Sequence, residues 1–137
     1  MKSNLSPESK LTYEIDEEVL VSKDKERYGV TILFKHDYYS SDNGNGRLLL
    51  KSFVESILNE SENIGMILFI DKGVKLLSGD HPLNSLIGEL IQLSNGSYAD
   101  IMSIDYYKAT NNLNVSSADP STIYSFLLSS SRVVVIE

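Results

Sequence analysis

From residue 28 onward, short apolar runs alternate with longer stretches in which apolar residues recur every three or four positions. The short runs are rich in β-branched residues and are typical of buried strands, whereas the three-to-four spacing is typical of amphipathic helices. The pattern predicts strands near 30–35, 64–70, 99–104 and 132–136, a minimal strand at Val115, and helices near 46–59, 82–94, 106–112 and 120–130.

Local signals mark the ends of two of these helices. Pro82 suits a first helical turn, and Asn95-Gly96 suits a helix end, while Asp119 is a good N-cap followed by Pro120. Strands that are apolar throughout and alternate with helices predict a parallel sheet covered on both faces. We therefore predict a three-layer α/β/α sandwich with about five mainly parallel strands, the layering of flavodoxin-like folds.

The first 27 residues differ from the rest, because 12 of them are charged. Apolar and polar residues alternate over 11–15, and an apolar run follows at 19–21. The alternation is typical of an edge strand or hairpin that packs on the domain or on a partner, and the charge is typical of a tail. We predict a charged extension over 1–27, a partly ordered tail or an edge strand, and one α/β domain over 28–137.

Charge and cysteine content exclude several classes of function. Lys and Arg number 12 against 19 Asp and Glu, a net charge of −7, whereas nucleic-acid binders normally carry a basic surface. The chain has no cysteine, so no thiol, disulfide or cysteine-ligated zinc is available to it. We expect a cytoplasmic protein that binds neither nucleic acid nor membrane.

Ligands of parallel α/β sheets bind beyond the carboxyl ends of the strands. Three predicted loops lie at that edge, over 36–46, 71–80 and 103–107. The first enters a helix, where backbone N–H groups and Arg47 favour an anion. The favoured alternative is a glycine-rich turn, with Asp42 or Asn43 as the helix cap.

Other residues at this edge carry weaker signals. His36, Asp37, Asp80 and His81 have metal-binding side chains, but without a pair of histidines at i and i+4 we favour exposed loops and predict no metal or cofactor. Ser103 with Asp105 and His36 would make a hydrolase triad, but no G-x-S-x-G surrounds the serine. Tyrosines at 38–39 and 106–107 are more typical of packing at an interface than of stacking on a ligand.

Several segments together resemble one family. The runs Gly-Asn-Gly-Arg-Leu-Leu-Leu-Lys-Ser-Phe at 44–53 and Leu-Phe-Ile-Asp-Lys-Gly-Val-Lys-Leu at 68–76 resemble DsrE/YedF-like sulfurtransferases, as do Ser-Ile-Asp-Tyr-Tyr at 103–107, Thr-Ile-Tyr at 122–124 and the final strand. The similarity spans about residues 28–137. It implies a DsrEFH-like fold and a sulfur-relay role, normally carried by a Cys-x-x-Cys before the Asp-Tyr-Tyr.

At those two cysteine positions this chain has Asp100 and Ser103. A persulfide relay needs a thiolate, so persulfide transfer is not expected and no catalytic residue is assigned. The leading hypothesis for the function is a non-catalytic binding or assembly module. The second is a small-anion or nucleotide-binding protein, with candidate ligand-binding residues Gly44, Gly46, Arg47, Lys75, Ser103, Asp105 and Tyr106. The third is an enzyme that uses Asp105, His36 or a tyrosine as acid or base.

The family resemblance also implies association, because DsrE-like domains commonly form homo- or hetero-oligomers, often around a threefold axis. The tyrosine pairs at 38–39 and 106–107 agree, since aromatic residues are enriched in interface cores. We expect a homo-oligomer, a dimer or a trimer, or a complex with a sulfur-relay protein.

Overall fold

A computed structural model describes residues 29–60 and 64–137. The predicted extension over 1–27 lies outside these residues. Along the chain the elements are β1 Val30–Phe34, α1 Gly44–Glu60, β2 Ile64–Phe69, a 3₁₀ helix Asp71–Leu77, α2 Asn84–Gln92, β3 Ser94–Asp100, α3 Ile101–Tyr107, β4 Ser116–Ala118, α4 Pro120–Ser129 and β5 Val133–Ile136.

The five strands form one sheet in the order β4-β3-β2-β1-β5, and every pair is parallel. The register aligns Phe34 of β1 with Phe69 of β2 and with Ile136 of β5. Because all strands run the same way, their carboxyl ends share one edge of the sheet. The predicted three-layer sandwich with a parallel, five-stranded sheet is confirmed.

The larger part of the core lies on one face of the sheet. Ile32 and Phe34 of β1 pack there with Leu50 of α1 and with Ile87 of α2, all of them buried. The rings of Phe34 and Phe69 stack with centroids 5.3 Å apart. Aromatic stacking of this kind adds about 0.5–1.5 kcal/mol to the gain from burial alone.

The opposite face has a smaller core under α4. Ile123 of α4 packs on Leu33 and Leu68, which alternate along their strands with the residues of the first face. Asp119 caps α4 by accepting a hydrogen bond from the Thr122 N–H at 2.9 Å, and Pro120 follows it, so the predicted start of this helix is confirmed.

Several predicted elements differ from the structure, among them the helix predicted over 106–112, since the observed α3 is Ile101–Tyr107. The third strand is Ser94–Asp100 rather than 99–104, and the next residues are helical, because the Asp100 carboxylate caps α3. α2 is Asn84–Gln92, so Pro82 precedes the helix rather than lying in its first turn, and Asn95-Gly96 lies inside β3 instead of closing a helix. The predicted loop over 71–80 begins with the 3₁₀ helix.

β4 is Ser116–Ala118, just beyond the predicted minimal strand at Val115. None of the helices in residues 29–60 and 64–137 is long and apolar enough to span a lipid bilayer.

Candidate functional site

A cavity of about 580 Å³ opens at the carboxyl ends of β2 and β3. The 3₁₀ helix contributes one residue to its lining, and α3 with its cap contributes the rest. The lining residues are Asp71, Asp100, Met102, Ser103, Asp105, Tyr106 and Tyr107.

Asp100 and Ser103 form a buried junction beneath this cavity. The Asp100 carboxylate caps α3 by accepting hydrogen bonds from the N–H groups of Met102 at 3.3 Å and Ser103 at 3.2 Å. The Ser103 hydroxyl donates to the same carboxylate at 2.6 Å and accepts the Asp71 N–H at 2.8 Å. Both residues are only 9% exposed. The serine oxygen therefore joins the end of β3 to the start of the 3₁₀ helix, and its proton is held by a carboxylate.

Asp71 holds the other side of the cavity. Its backbone adopts a left-handed conformation with φ of 50°. Its carboxylate accepts a hydrogen bond of 2.7 Å from the Tyr107 hydroxyl. That hydrogen bond, assisted by desolvation, raises the pKa of Tyr107 to about 12. Tyr107 is thus a hydrogen-bond donor at neutral pH, not a base. Lys75 also contacts Tyr107, in a cation–π interaction with its ammonium 5.2 Å from the centre of the ring.

Gly73 explains why the 3₁₀ helix can sit so close to the sheet. A Cβ atom at this position would collide with the backbone carbonyl of Phe34 at the end of β1. Only glycine permits this approach, which brings Asp71 to the edge of the cavity.

The predicted ligand-binding residues fall into two groups. Ser103, Asp105 and Tyr106 line the cavity, and Lys75 contacts its Tyr107 wall. The glycines and the arginine at the start of α1 are not among the lining residues. These are Gly44, Gly46 and Arg47.

The start of α1 is a capped turn. The Asn43 side chain accepts the Gly46 N–H at 3.0 Å, which is the cap expected of the glycine-rich turn. Arg47 pairs with Asp42 at 3.4 Å, and Lys72 lies 3.8 Å from the same carboxylate. Arg47 and Lys72, the cations that an anionic ligand would need here, therefore already lie beside the Asp42 carboxylate.

Asp37 and His81 form a pair that the sequence did not reveal. Their side chains are 15% and 11% exposed, so the expectation of exposed loops is wrong for these two residues. The His81 Nδ1 accepts the Leu83 N–H at 3.1 Å, so the Nε2 carries the proton and donates it to Asp37 at 3.1 Å. Burial raises the pKa of Asp37, but the hydrogen bond from His81, together with the nearby charge of Lys75, outweighs it and leaves the pKa below its usual value.

Neither the metal site nor the triad is assembled in the described residues. No group of three or more potential metal ligands occurs among them. The carboxylate beside Ser103 is Asp100 rather than Asp105, and His36 stacks on Tyr38 at 4.6 Å instead of lining the cavity.

Similarity to known proteins bears on the fold of this chain and gives no information about the cavity. No family model matches the chain, and no curated protein matches it. Among solved structures, it is similar to a conserved protein of unknown function from Bacteroides thetaiotaomicron, with a TM-score of 0.56 and 20% sequence identity. The likeness covers 78% of this chain and 93% of the other. At this identity it shows a shared three-layer α/β fold.

Proposed function

We propose that this chain is a non-catalytic DsrE/YedF-like module that binds protein partners, copies of itself first, through the surface of α3. One observation carries the proposal. The Ser103 hydroxyl is buried in hydrogen bonds, whereas the large apolar side chains around it are exposed.

The junction of Asp100 and Ser103 supports the non-catalytic part. A sulfur carrier needs an accessible thiolate, and the sequence contains no cysteine. The residues at the two family cysteine positions instead bond to each other at 2.6 Å and connect β3 to the 3₁₀ helix. In this proposal, the two positions that carry cysteines in the family hold the fold together here.

The exposed side chains of α3 support the binding part. Ile101, Met102 and Tyr106 are 50%, 64% and 79% exposed on this seven-residue helix. We call these three residues the apex surface. Clustered apolar side chains at a surface mark interaction sites, and aromatic residues and methionine are enriched where proteins meet.

The charge of the cavity favours a protein partner over an anion. Asp71, Asp100 and Asp105 line it, and a phosphate or persulfide there would meet like charge. A partner that presents apolar side chains together with a Lys or Arg would match both the apex surface and these carboxylates.

A sulfur-transfer assay tests the non-catalytic part. The unmodified protein, given thiosulfate or a persulfide donor with cyanide as acceptor, is expected to form no thiocyanate above the rate without protein. Thiocyanate formation by the unmodified protein would overturn the proposal. Ser103→Cys is the informative variant, because mass spectrometry after donor treatment shows whether the position accepts sulfur once a thiol is present.

A further inference from the structure

A second apolar surface, which shares no residue with the apex surface, lies on the face of the sheet that α4 covers. Its members are Tyr124 and Leu128 of α4, 63% and 71% exposed, and Val133 and Val135 of β5, each 37% exposed. We call these four residues the α4–β5 surface.

Helix geometry brings the four residues to one side. Phe126 of α4 packs against Tyr98 of β3 with ring centroids 4.7 Å apart, so that flank of the helix faces β3. Tyr124 and Leu128, one turn apart, lie on the opposite flank, which faces β5. Val133 and Val135 pair with Thr31 and Leu33, whose side chains point to the same face as α4.

A cavity of about 240 Å³ adjoins this surface at the amino ends of β1 and β2. Thr31, the neighbour of Val133, lines it, and so do Phe126 and the serines that connect α4 to β5. Gly29, the first described residue of the chain, lines it too. Apolar atoms of Met66 and Phe126 line this hollow beside the exposed Val133, so it has room for the apolar side chains of a covering segment.

We propose that residues 11–21 of the chain's own N-terminal extension cover the α4–β5 surface. The chain leaves the described domain at Gly29, on the rim of the hollow. The seven residues over 22–28 span at most about 25 Å when extended, while the four residues of β5 span only about 13 Å, so the segment reaches the whole surface.

The composition of the segment fits this surface. Apolar residues alternate over 11–15 and run together over 19–21, which supplies side chains for both the valines and the hollow. Acidic residues lie between them at Glu14 and 16–18, and Arg132 is exposed next to Val133. Attachment through a short linker also gives this segment a large advantage over a second copy at micromolar concentration.

A spin label tests the contact directly, since the chain has no native cysteine. Leu128→Cys places the label on an exposed position of the surface in the full chain. The expected result is broadening of the backbone amide signals of residues 11–21 within the same molecule. Absence of that broadening overturns the proposal. Broadening only between labelled and unlabelled copies overturns it as well, in favour of a second copy.

A matched pair of substitutions supplies an independent measurement. Leu128→Glu and Leu48→Glu change equally exposed leucines, at 71% and 65%, on opposite faces of the sheet. Cleavage by a glutamate-specific protease after Glu14, Glu17 and Glu18, inside the docked segment, is expected to be about tenfold faster in Leu128→Glu and unchanged in Leu48→Glu, because cleavage follows the population of the undocked segment. Equal rates in the two variants overturn the proposal.

Discussion

Replacing Asp100 with alanine is expected to lower the free energy of unfolding by about 2–4 kcal/mol. The substitution removes the N-cap of α3, which costs about 1 kcal/mol. It also leaves the buried Ser103 hydroxyl without its acceptor, which costs about 1–3 kcal/mol more. The two costs add because the same Asp100 carboxylate accepts the bonds that cap α3 and the bond from the Ser103 hydroxyl.

Urea denaturation followed by far-ultraviolet circular dichroism measures the effect. With an unchanged slope of about 2 kcal/mol per molar urea, a loss of about 2–4 kcal/mol lowers the midpoint by roughly 1–2 M urea. Asp119→Ala is the matched control, since Asp119 also caps a helix but is exposed and bonds only within its own first turn. Its midpoint is expected to fall clearly less.

Equal midpoints for Asp100→Ala and Asp119→Ala would refute this reasoning. They would mean that the bonds between β3 and the 3₁₀ helix contribute nothing to stability. Asp100 and Ser103 would then need a role other than the structural one assigned here.

Three further predictions concern the edge of the sheet. In the Ser103→Cys variant, the further substitution Asp100→Asn is expected to speed alkylation of the thiol by iodoacetamide at pH 7, because a neighbouring carboxylate disfavours the thiolate. Equal alkylation rates with and without Asp100→Asn, measured by mass spectrometry, would contradict this. The lowered pKa of Asp37 adds stability at neutral pH that is lost as the pH falls below about 4. The gap in urea midpoint between the unmodified protein and Asp37→Asn should therefore narrow from pH 6 to pH 3, and a constant gap would count against it. Phosphate and ATP are expected to leave the melting temperature unchanged relative to sodium chloride of equal ionic strength, and a rise would restore the anion-binding alternative.

Much of the sheet could be predicted because its central strands are apolar without interruption. β1 and β2 lie within the predicted ranges, and β5 does so as well, although its valines are half-exposed at an edge. Asp119 and Pro120 located α4 correctly, because an N-cap followed by proline is a local signal that needs no tertiary contact.

The third strand could not be found in the same way. Residues 94–97 are polar and turn-like, and pairing with the buried strand β2 overrides their local preference. One signal was present: Asp100 precedes the apolar Ile101 and Met102, as an N-cap residue would. The pair of Asp37 and His81 lies 44 residues apart along the chain, so only the folded structure brings it together.

The association state of the full chain tests the central claim most directly. Light scattering at micromolar concentration is expected to give two or three times the 15.3 kDa mass of one chain. Met102→Glu, in the apex surface, should restore the single-chain mass, whereas Leu48→Glu, at the matching exposure of 65% against 64%, should leave the oligomer intact. A mass of 15.3 kDa alone for the unmodified protein, or an oligomer that survives Met102→Glu, would contradict the account.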